Sequence, residues 1–525
     1  MLLAVLIFLL DVAASVWSIY LFPVNEGDSL AYHLQSAPNW YQAKNLITFP
    51  TNDFRNLLFP DNQNFLVLWN FLSFKNDSLI EIIPYLYLLL SVLIIFNFLQ
   101  KFQKNTYLNF LLSLLFYFVG THFIYAKTFS GDTAVAAFTL ASLTMLYSYI
   151  KSGNSVYFFF FSISNGLLLG TKIAGFLDVA VLYSFAFLYE SFFRKDKRLN
   201  TFIKYLPSLA ICFTLGGFRY FENWQQFHNP LYPKRIDLFG LVSLPGISAK
   251  LMGDHGFNPI RAIYNSSLFA KSFFQGAFGY QFPLFYIPAI LTMFLFFRKK
   301  ISKMTYFVSS YILISNVIFL LIFLAASTRY FFDIGFLGII FLANLLKAQR
   351  KDVQSTLTAL FAFFILFSAL ESGTLLRFGE LYDLSKKPLE ERQLGGLFYD
   401  EDFYFFQKNV PVGATILYLL PENSLIYPFY GPRYENRLLY ANTYDTDEII
   451  EKVKKERVEI IIAKSATSTY GSYFYGWDFK SGALIEFPEE YAKNAVAKLL
   501  QAGHIKEIGQ SSRLAFYQVD DKELR

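Results

Sequence analysis

The chain has little of what disulfide-stabilised proteins and cysteine-rich metal proteins use. Its 525 residues include one cysteine, Cys212, and five histidines, and only 16% of the residues are charged. A single cysteine excludes a disulfide framework and a cysteine-rich zinc site. The sequence also has no phosphate-binding loop and no paired-glycine dinucleotide turn. These absences argue against nucleotide-dependent and zinc-dependent chemistry.

The sequence is instead rich in apolar residues. Hydrophobic residues make up 54% of the chain and aromatic residues 20%. A soluble protein of this length cannot bury so much apolar surface, whereas a segment of about 20 apolar residues crosses a hydrocarbon core of roughly 30 Å. We therefore predict a polytopic α-helical membrane protein with about eleven transmembrane helices. The predicted spans are residues 2–22, 79–99, 106–126, 131–150, 155–171, 173–192, 201–218, 282–297, 304–326, 329–346 and 354–376.

The first apolar segment has two interpretations. It is a membrane span, or it is a signal peptide that is cleaved after about Val24. No basic residue precedes its apolar core, and Asp11 interrupts that core. Both observations favour a span, and we expect Asp11 to pair with a polar group of the bundle.

The loops between the spans alternate in charge. Every second loop is basic, which predicts its position in the cytoplasm. The basic clusters are Lys101 with Lys104, Lys151, Arg194 to Arg198, Arg298 to Lys303, and Lys347 to Lys351. The remaining segments, 23–78, 127–130, 219–281 and everything after about 377, are therefore predicted to lie outside the cytoplasm.

The tail, residues 377–525, has a different composition and predicts a small extracytoplasmic α/β domain behind a transmembrane domain of residues 1–376. Helical patterns cover Asp447–Arg457, with Asp445 or Thr446 as the N-cap, and Glu489–Ala502. A hairpin-like pair follows, at Ile505–Ile508 and Arg513–Val519.

Two acids and an imidazole stand together immediately after the first apolar segment. Glu26, Asp28 and His33 lie in the stretch Asn25–Leu34. Carboxylates at the end of a membrane helix suit general-base catalysis or metal ligation. A solvated loop turn is the alternative.

Four stretches of the chain resemble bacterial GT-C glycosyltransferases, the polytopic enzymes that use a polyprenyl-phosphate sugar as donor. The likeness extends to the glycosyltransferase 39/83-type families and to the 4-amino-4-deoxyarabinose and mannosyl transferases. It covers about residues 1–376. The motifs are Gly27–Leu34 followed by Pro38 and Trp40, Lys127–Asp132, Gly166–Lys172, and Arg219–Trp224 followed by Asn229–Pro233; Thr328-Arg329-Tyr330 also resembles the Arg-Tyr that opens a late span.

The resemblance implies a catalytic base and a second acid. It places the family's acidic residue at Asp28, and displacement at the anomeric carbon by one base predicts inversion. Glu26 is expected to tune Asp28 or to bind a metal. Asp132 is expected to position the acceptor, or to form a site for Mg²⁺ or Mn²⁺ with Asp28. Alternatively, Asp132 is only a helix N-cap.

Cations and aromatic residues complete the predicted site. A cation holds the donor phosphate by a point charge or, for arginine, by two parallel hydrogen bonds. Snorkelling to the membrane interface is the alternative for each cation. The candidates for phosphate binding are Lys127, Lys172, Arg219, Arg329 and His33, and those for substrate binding are Tyr32, Trp40, Asn223, Trp224 and Tyr232.

The resemblance implies an enzyme of the bacterial inner membrane whose active site faces outward. Its expected partners are a polyprenyl-phosphate sugar, membrane lipid, and an acceptor that is a lipid, a glycan or a protein. Because the basic loops face the cytoplasm and match anionic lipid, nucleic acid is not expected as a partner. Two other classes stay open, a transporter or flippase of lipid-linked sugars and a non-catalytic glycan-binding membrane protein. A transporter usually has repeated halves with broken helices at mid-membrane, and no internal repeat is visible in the sequence.

Overall fold

The chain forms a helical bundle followed by a small α/β unit built on a five-stranded sheet. In this computed structural model, the described residues are 2–22, 24–46, 49–60, 62–193, 198–232, 235–238, 242–246, 280–323, 328–371, 377–388, 391–392, 401–465, 474–478 and 483–520. The basic residues 194–197, residues 247–279 of the predicted loop 219–281, and the predicted domain boundary at 372–376 lie outside these ranges.

A helix lies along each predicted span, although two of the spans are divided. The span predicted at 106–126 consists of two helices, and the one at 282–297 begins with a π-helical turn at Phe282–Tyr286. The helices are Leu2–Leu21, Ile82–Gln100, Thr106–Tyr117, Gly120–Tyr125, Asp132–Ser152, Ser155–Leu169, Ile173–Phe193, Arg198–Gly216, Ile287–Phe296, Lys303–Phe323, Phe332–Ala348 and Lys351–Glu371.

Five of the described helices are long and apolar enough to cross a membrane. They are Leu3–Leu21, Ile82–Gln100, Asp132–Ser152, Ile173–Ser191 and Lys351–Leu370. The chain is thus a multi-pass membrane protein, whereas the number of eleven spans stays a prediction.

Asp11 pairs inside the bundle, as expected. The Tyr117 hydroxyl donates to Asp11 Oδ2 at 2.7 Å and lies 2.6 Å from the Tyr85 hydroxyl. Because a charge among apolar helices is costly without such partners, this network explains how the first helix tolerates an acid.

Shorter elements occupy the two long loops. The first loop, residues 23–78, contains a π-helical turn at Ser29–His33 and the helices Ser36–Ala43, Arg55–Leu58 and Asn62–Phe74. The loop after Gly216 contains the helix Phe218–Phe227 and two paired strands, β1 (Ile236–Leu238) and β2 (Val242–Leu244).

The tail contains the predicted helices and hairpin. The strands of its sheet are β3 (Thr415–Leu419), β4 (Arg437–Tyr440), β5 (Ile460–Lys464), β8 (Ile505–Gln510) and β9 (Leu514–Val519), and a separate hairpin joins β6 (Phe474–Asp478) to β7 (Ala483–Phe487). The sheet runs in the order β4-β3-β5-β9-β8, with β3 parallel to β4 and β5, and β9 antiparallel to β5 and β8.

Helices Thr446–Glu456 and Glu489–Gln501 cover one face of this sheet. Asp445 caps the first of them by accepting hydrogen bonds from the backbone N–H groups of Asp447 and Glu448, as the sequence predicts. The helices Phe378–Ser385 and Glu401–Asn409 precede the sheet.

The opposite face of the sheet shares one apolar core with the first loop. The rings of Phe71 and Tyr434 stack with their centroids 3.9 Å apart. The Asn39 amide donates to the Tyr430 hydroxyl at 2.6 Å, and the Asn52 amide donates to the Pro421 carbonyl at 2.7 Å. The tail therefore holds the first loop in shape.

We expect Tyr434→Ala to weaken this attachment. Tyr434 is 3% exposed and also hydrogen-bonds to Tyr427 at 3.0 Å, and loss of a buried aromatic ring costs about 3–5 kcal/mol of unfolding free energy. Thermal unfolding of the purified protein in detergent measures the loss. Tyr491→Ala is the control, because Tyr491 is 56% exposed on a tail helix. Equal unfolding temperatures for the two variants would contradict a shared core.

Candidate active site

Glu26 holds the start of the helical turn that carries the other candidate residues. Its carboxylate accepts hydrogen bonds from the backbone N–H of Asp28 at 3.1 Å and of Ser29 at 2.7 Å, and from the Ser29 hydroxyl at 2.6 Å. Burial, together with the charge of Asp28, raises the pKa of Glu26. Glu26 therefore orders the turn, and its oxygens are already engaged by local donors.

Asp28 forms an ion pair with a residue 301 positions later in the chain. Arg329 Nη1 donates to Asp28 Oδ2 at 2.9 Å, and Nη2 donates to the Tyr330 hydroxyl at 3.1 Å. Burial by itself raises the pKa of Asp28, but the charges of Arg329 and Arg55 and the nearby His33 outweigh burial and lower it. Asp28 is thus a carboxylate at neutral pH, and it remains partly exposed.

The turn Ser29–His33 is a π-helix, closed by the Leu34 N–H donating to the Ser29 carbonyl at 3.1 Å. Such turns are rare in proteins overall, and those that do occur are often found at functional sites. The Ser29 hydroxyl also accepts from the Phe129 N–H at 2.9 Å. This bond ties the first loop to the short second loop, residues 127–130.

Asp132 and Lys172 form the second ion pair of the site. Lys172 Nζ lies 2.6 Å from Asp132 Oδ1 and donates to the Ser130 carbonyl at 3.1 Å. The other oxygen of Asp132, Oδ2, is buried without a hydrogen-bond partner among the described residues. Asp132 opens the helix Asp132–Ser152, and Gly131 precedes it with φ of 81°. A side chain at Gly131 would also meet Gln63, at 2.8 Å.

His33 lies near both ion pairs and is neutral. Burial, followed by the charge of Lys172, holds the pKa of His33 well below its ordinary value despite the opposing effect of Asp28. Its Nε2 atom is buried without a hydrogen-bond partner among the described residues. A neutral imidazole with a free nitrogen can donate or accept one hydrogen bond from a ligand.

Arg55 belongs to the same cluster, and the sequence interpretation missed it. Its guanidinium lies 3.8 Å from the centre of the Tyr32 ring, whose other neighbour is the His33 ring at 4.1 Å. Arg55 donates hydrogen bonds to both carboxylate oxygens of Asp53. Because Arg55 owes its place to this local pairing and to the tail, the sequence motif gave no signal for it.

The other predicted residues lie at separate places. Burial lowers the pKa of Lys127 to about 8, while the negative charges of Asp11 and Glu81 act in the opposite direction. The acids that act on Lys127 are thus Asp11 and Glu81. Arg219 pairs with Glu222 at 2.7 Å. The roles of Lys127 and Arg219 in donor binding stay predictions.

Asn223, Tyr232 and the two tryptophans form local contacts. Asn223 donates to the carbonyls of Leu58 at 3.0 Å and Tyr232 at 3.4 Å, so it joins the helix Phe218–Phe227 to the first loop. Tyr232 stacks on Phe227 at 4.1 Å, and Trp40 stacks on Phe65 at 5.1 Å. Trp224 is 50% exposed.

A cavity opens beside the two ion pairs. Four of its lining residues lie at or just before the starts of their helices, and this end is called the mouth: Asp132, Lys172, Arg329 and Tyr330. The space among all the lining residues is about 500 Å³, open solvent included. A cationic arginine and lysine at the mouth favour an anionic group there.

A divalent cation fits poorly between the two acids. Asp28 is held by Arg329 and Asp132 by Lys172, and the described residues contain no cluster of three or more His, Cys, Asp or Glu side chains suited to a metal. A requirement for Mg²⁺ or Mn²⁺ therefore stays a prediction, and no chemical step below depends on it.

Comparison with known proteins identifies the fold. No protein-family model and no curated protein matches the sequence. Among solved structures, ArnT from Cupriavidus metallidurans in the apo state aligns over 98% of this chain and 97% of its own, with a TM-score of 0.54 and 11% identity. The same protein bound to undecaprenyl phosphate aligns over 99% and 98%, with a TM-score of 0.56 and 9% identity. The chain has the ArnT fold. ArnT is a GT-C enzyme that transfers 4-amino-4-deoxy-L-arabinose, and at these identities the likeness extends to the fold alone.

Proposed function

We propose that the protein is an integral-membrane glycosyltransferase that moves a sugar from a polyprenyl-phosphate donor to an acceptor hydroxyl. The observation that carries the proposal is the paired arrangement Asp28–Arg329 and Asp132–Lys172 at the mouth of a cavity, in a chain with the ArnT fold. Undecaprenyl phosphate, bound in one of the ArnT structures, is the class of lipid that we propose as the carrier.

The donor phosphate binds at the mouth of the cavity. Arg329 supplies a planar guanidinium and Lys172 a point charge, and the free nitrogen of His33 adds one hydrogen bond. Each cation now neutralises a carboxylate, so an arriving phosphate competes with Asp28 for Arg329. As Arg329 turns to the phosphate, the pKa of Asp28 rises, because the largest opposing charge is withdrawn. Donor binding thereby makes Asp28 a stronger base.

Asp28 accepts the proton of the acceptor hydroxyl. The hydroxyl oxygen forms a bond to the anomeric carbon as the bond from that carbon to the phosphate oxygen breaks. The electron pair leaves with the prenyl phosphate, and Arg329 and Lys172 stabilise the charge that develops there. A single displacement inverts the anomeric centre and needs no enzyme nucleophile. Glu26 keeps the turn ordered, and Asp132 keeps Lys172 in place.

A transporter or flippase of lipid-linked sugars and a non-catalytic glycan-binding protein are the other candidate classes. Both would bind a lipid-linked sugar but would not break its bond to phosphate. Release of prenyl phosphate from a panel of polyprenyl-phosphate sugars therefore separates them from a transferase. We further propose that the protein lies in a bacterial inner membrane, with the acceptor a lipid, a glycan or a protein outside the cytoplasm.

We expect Asp28→Asn to lower turnover by about 10²–10⁴-fold, because the amide keeps the shape of the side chain but cannot accept a proton. The measurement is release of prenyl phosphate by the purified protein in lipid. Asp383→Asn is the control, since Asp383 is 76% exposed on a tail helix. Full turnover in Asp28→Asn would place the base elsewhere. A chelator added to the same assay tests the need for a divalent cation.

We expect Arg329→Lys to weaken binding of undecaprenyl phosphate about tenfold, because it retains the charge and loses one charge-assisted hydrogen bond. Asp28→Asn should bind this lipid as tightly as the parent or more tightly, because it removes the competitor for Arg329. Arg219→Lys tests the other predicted arginine in parallel, and Arg377→Lys, in an exposed pair with Glu380, is the control. Unchanged binding in Arg329→Lys would exclude Arg329 from the phosphate site.

We expect the first loop and the tail to be labelled from outside the cytoplasm. Ser73→Cys and Ser512→Cys place thiols at exposed positions of the two segments, while the native Cys212 is buried. Both should react with an impermeant thiol reagent in intact spheroplasts. Lys299→Cys, in a predicted cytoplasmic loop, should react only after the membrane is broken. The reverse pattern would invert the proposed orientation.

A further inference from the structure

The cavity lining also includes polar side chains that the proposed reaction does not use. They lie within the helices rather than at or before the helix starts, and this part of the lining is called the inner end: Thr139, Asp178, Ser315, Asn316 and Asp333. Thr139 lies seven residues beyond Asp132 on the same helix, which at 1.5 Å per residue is about 10 Å deeper in the bundle. Polar groups at this depth among apolar helices indicate a function.

The two acidic residues of the inner end are Asp178 and Asp333, and both are partly exposed. The Ser315 hydroxyl donates to Asp178 Oδ1 at 2.7 Å, and the Asn316 amide donates to Asp333 Oδ2 at 3.0 Å. No basic side chain of the described residues forms an ion pair with either acid. The Tyr311 hydroxyl also lies 3.4 Å from Asp178 Oδ1. Because these contacts of Asp178 all reach Oδ1, its Oδ2 can accept a hydrogen bond from a ligand.

Two buried oxygens of the cavity lining also form no hydrogen bond among the described residues. Thr139 is 4% exposed and Asp132 3% exposed, and both line the cavity. The Thr139 hydroxyl and Asp132 Oδ2 form no hydrogen bond within the described part of the chain. A buried polar group without a partner costs about 1–3 kcal/mol, and both oxygens can accept a hydrogen bond from a ligand in the cavity.

We propose that the inner end binds the sugar of the lipid-linked donor, through hydrogen bonds from its hydroxyl or amino groups to Asp178, Asp333 and Thr139. This inference rests on the proposed function. The inner end offers a phosphate no cationic side chain among its lining residues, and an apolar prenyl chain would leave the two acids unsatisfied. The sugar is the remaining part of such a donor, and its covalent bond to phosphate requires that its subsite adjoin Arg329 and Lys172 at the mouth.

The decisive variant is Thr139→Val, which removes the unpaired hydroxyl and keeps the shape of the side chain. Because the hydroxyl has no partner among the described residues, folding should not suffer. Thr144→Val is the matched control, since Thr144 is on the same helix, is also 4% exposed with an unpaired hydroxyl, and does not line the cavity. Binding is measured for undecaprenyl phosphate and for its conjugates with a neutral hexose, a neutral pentose and an amino sugar.

We expect Thr139→Val to weaken binding of the preferred conjugate roughly two- to tenfold and to leave undecaprenyl phosphate unaffected, with Thr144→Val unchanged for both. Asp178→Asn and Asp333→Asn should weaken the same conjugate about tenfold or more if its sugar carries an ammonium group, and less if the sugar is neutral. Their retained binding of undecaprenyl phosphate reports that they fold.

Two results overturn the sugar subsite. One is a parent protein that binds every conjugate no more tightly than undecaprenyl phosphate. The other is unchanged conjugate binding in Thr139→Val and in both aspartate variants. A parent that fails to bind undecaprenyl phosphate at all instead contradicts the proposed function.

Discussion

The ion pair between Asp28 and Arg329 is the interaction on which the site depends. It joins the first loop to the segment before the helix Phe332–Ala348, at a separation of 301 residues. Arg329 also lines the same cavity as Asp132, which pairs with Lys172. The contact between Asp28 and Arg329 therefore positions the first loop relative to the cavity that includes the second ion pair.

The tail also supports the shape of the first loop. Its sheet shares a core with the first loop, and Glu422 approaches Arg55 at 3.9 Å while Arg55 lies over Tyr32. The shape of the first loop is therefore set by two partners, the bundle through Arg329 and the tail through Arg55. A domain that appears accessory in the sequence supports the residues that carry the proposed chemistry.

Local sequence patterns correctly predicted the structural features that depend on interactions between neighbouring residues. The helix Thr446–Glu456 and its cap at Asp445 follow from a short acceptor and an amphipathic repeat within eleven residues. Apolar segments located the bundle helices for the same reason. They did not decide how many helices span a membrane, because helices such as Thr106–Tyr117 are shorter than a bilayer requires.

Contacts between residues that are far apart in the chain could not be predicted from the sequence. Asp28, Asp132, Lys172 and Arg329 could be grouped only by their predicted side of the membrane, and their actual pairing needs the fold. Arg55 had no motif at all. Asp178 and Asp333 did carry a signal, since an acid inside a predicted span marks a candidate functional site, but only the structure brings them to one cavity.

The π-helical turn makes the site sensitive to chain length as well as to residue type. Asp28 and His33 are five positions apart, and in a regular α-helix that spacing separates two side chains by about 140° around the axis. The π-helical turn that follows Asp28, closed from Leu34 to Ser29, advances less per residue and so brings the two side chains nearer to one side of the axis, and the charge of Asp28 acts on the His33 ring. One extra residue in a single turn therefore aligns the acid with the imidazole. Losing any residue of that turn would rotate one away from the other, even if every other side chain of the site were retained.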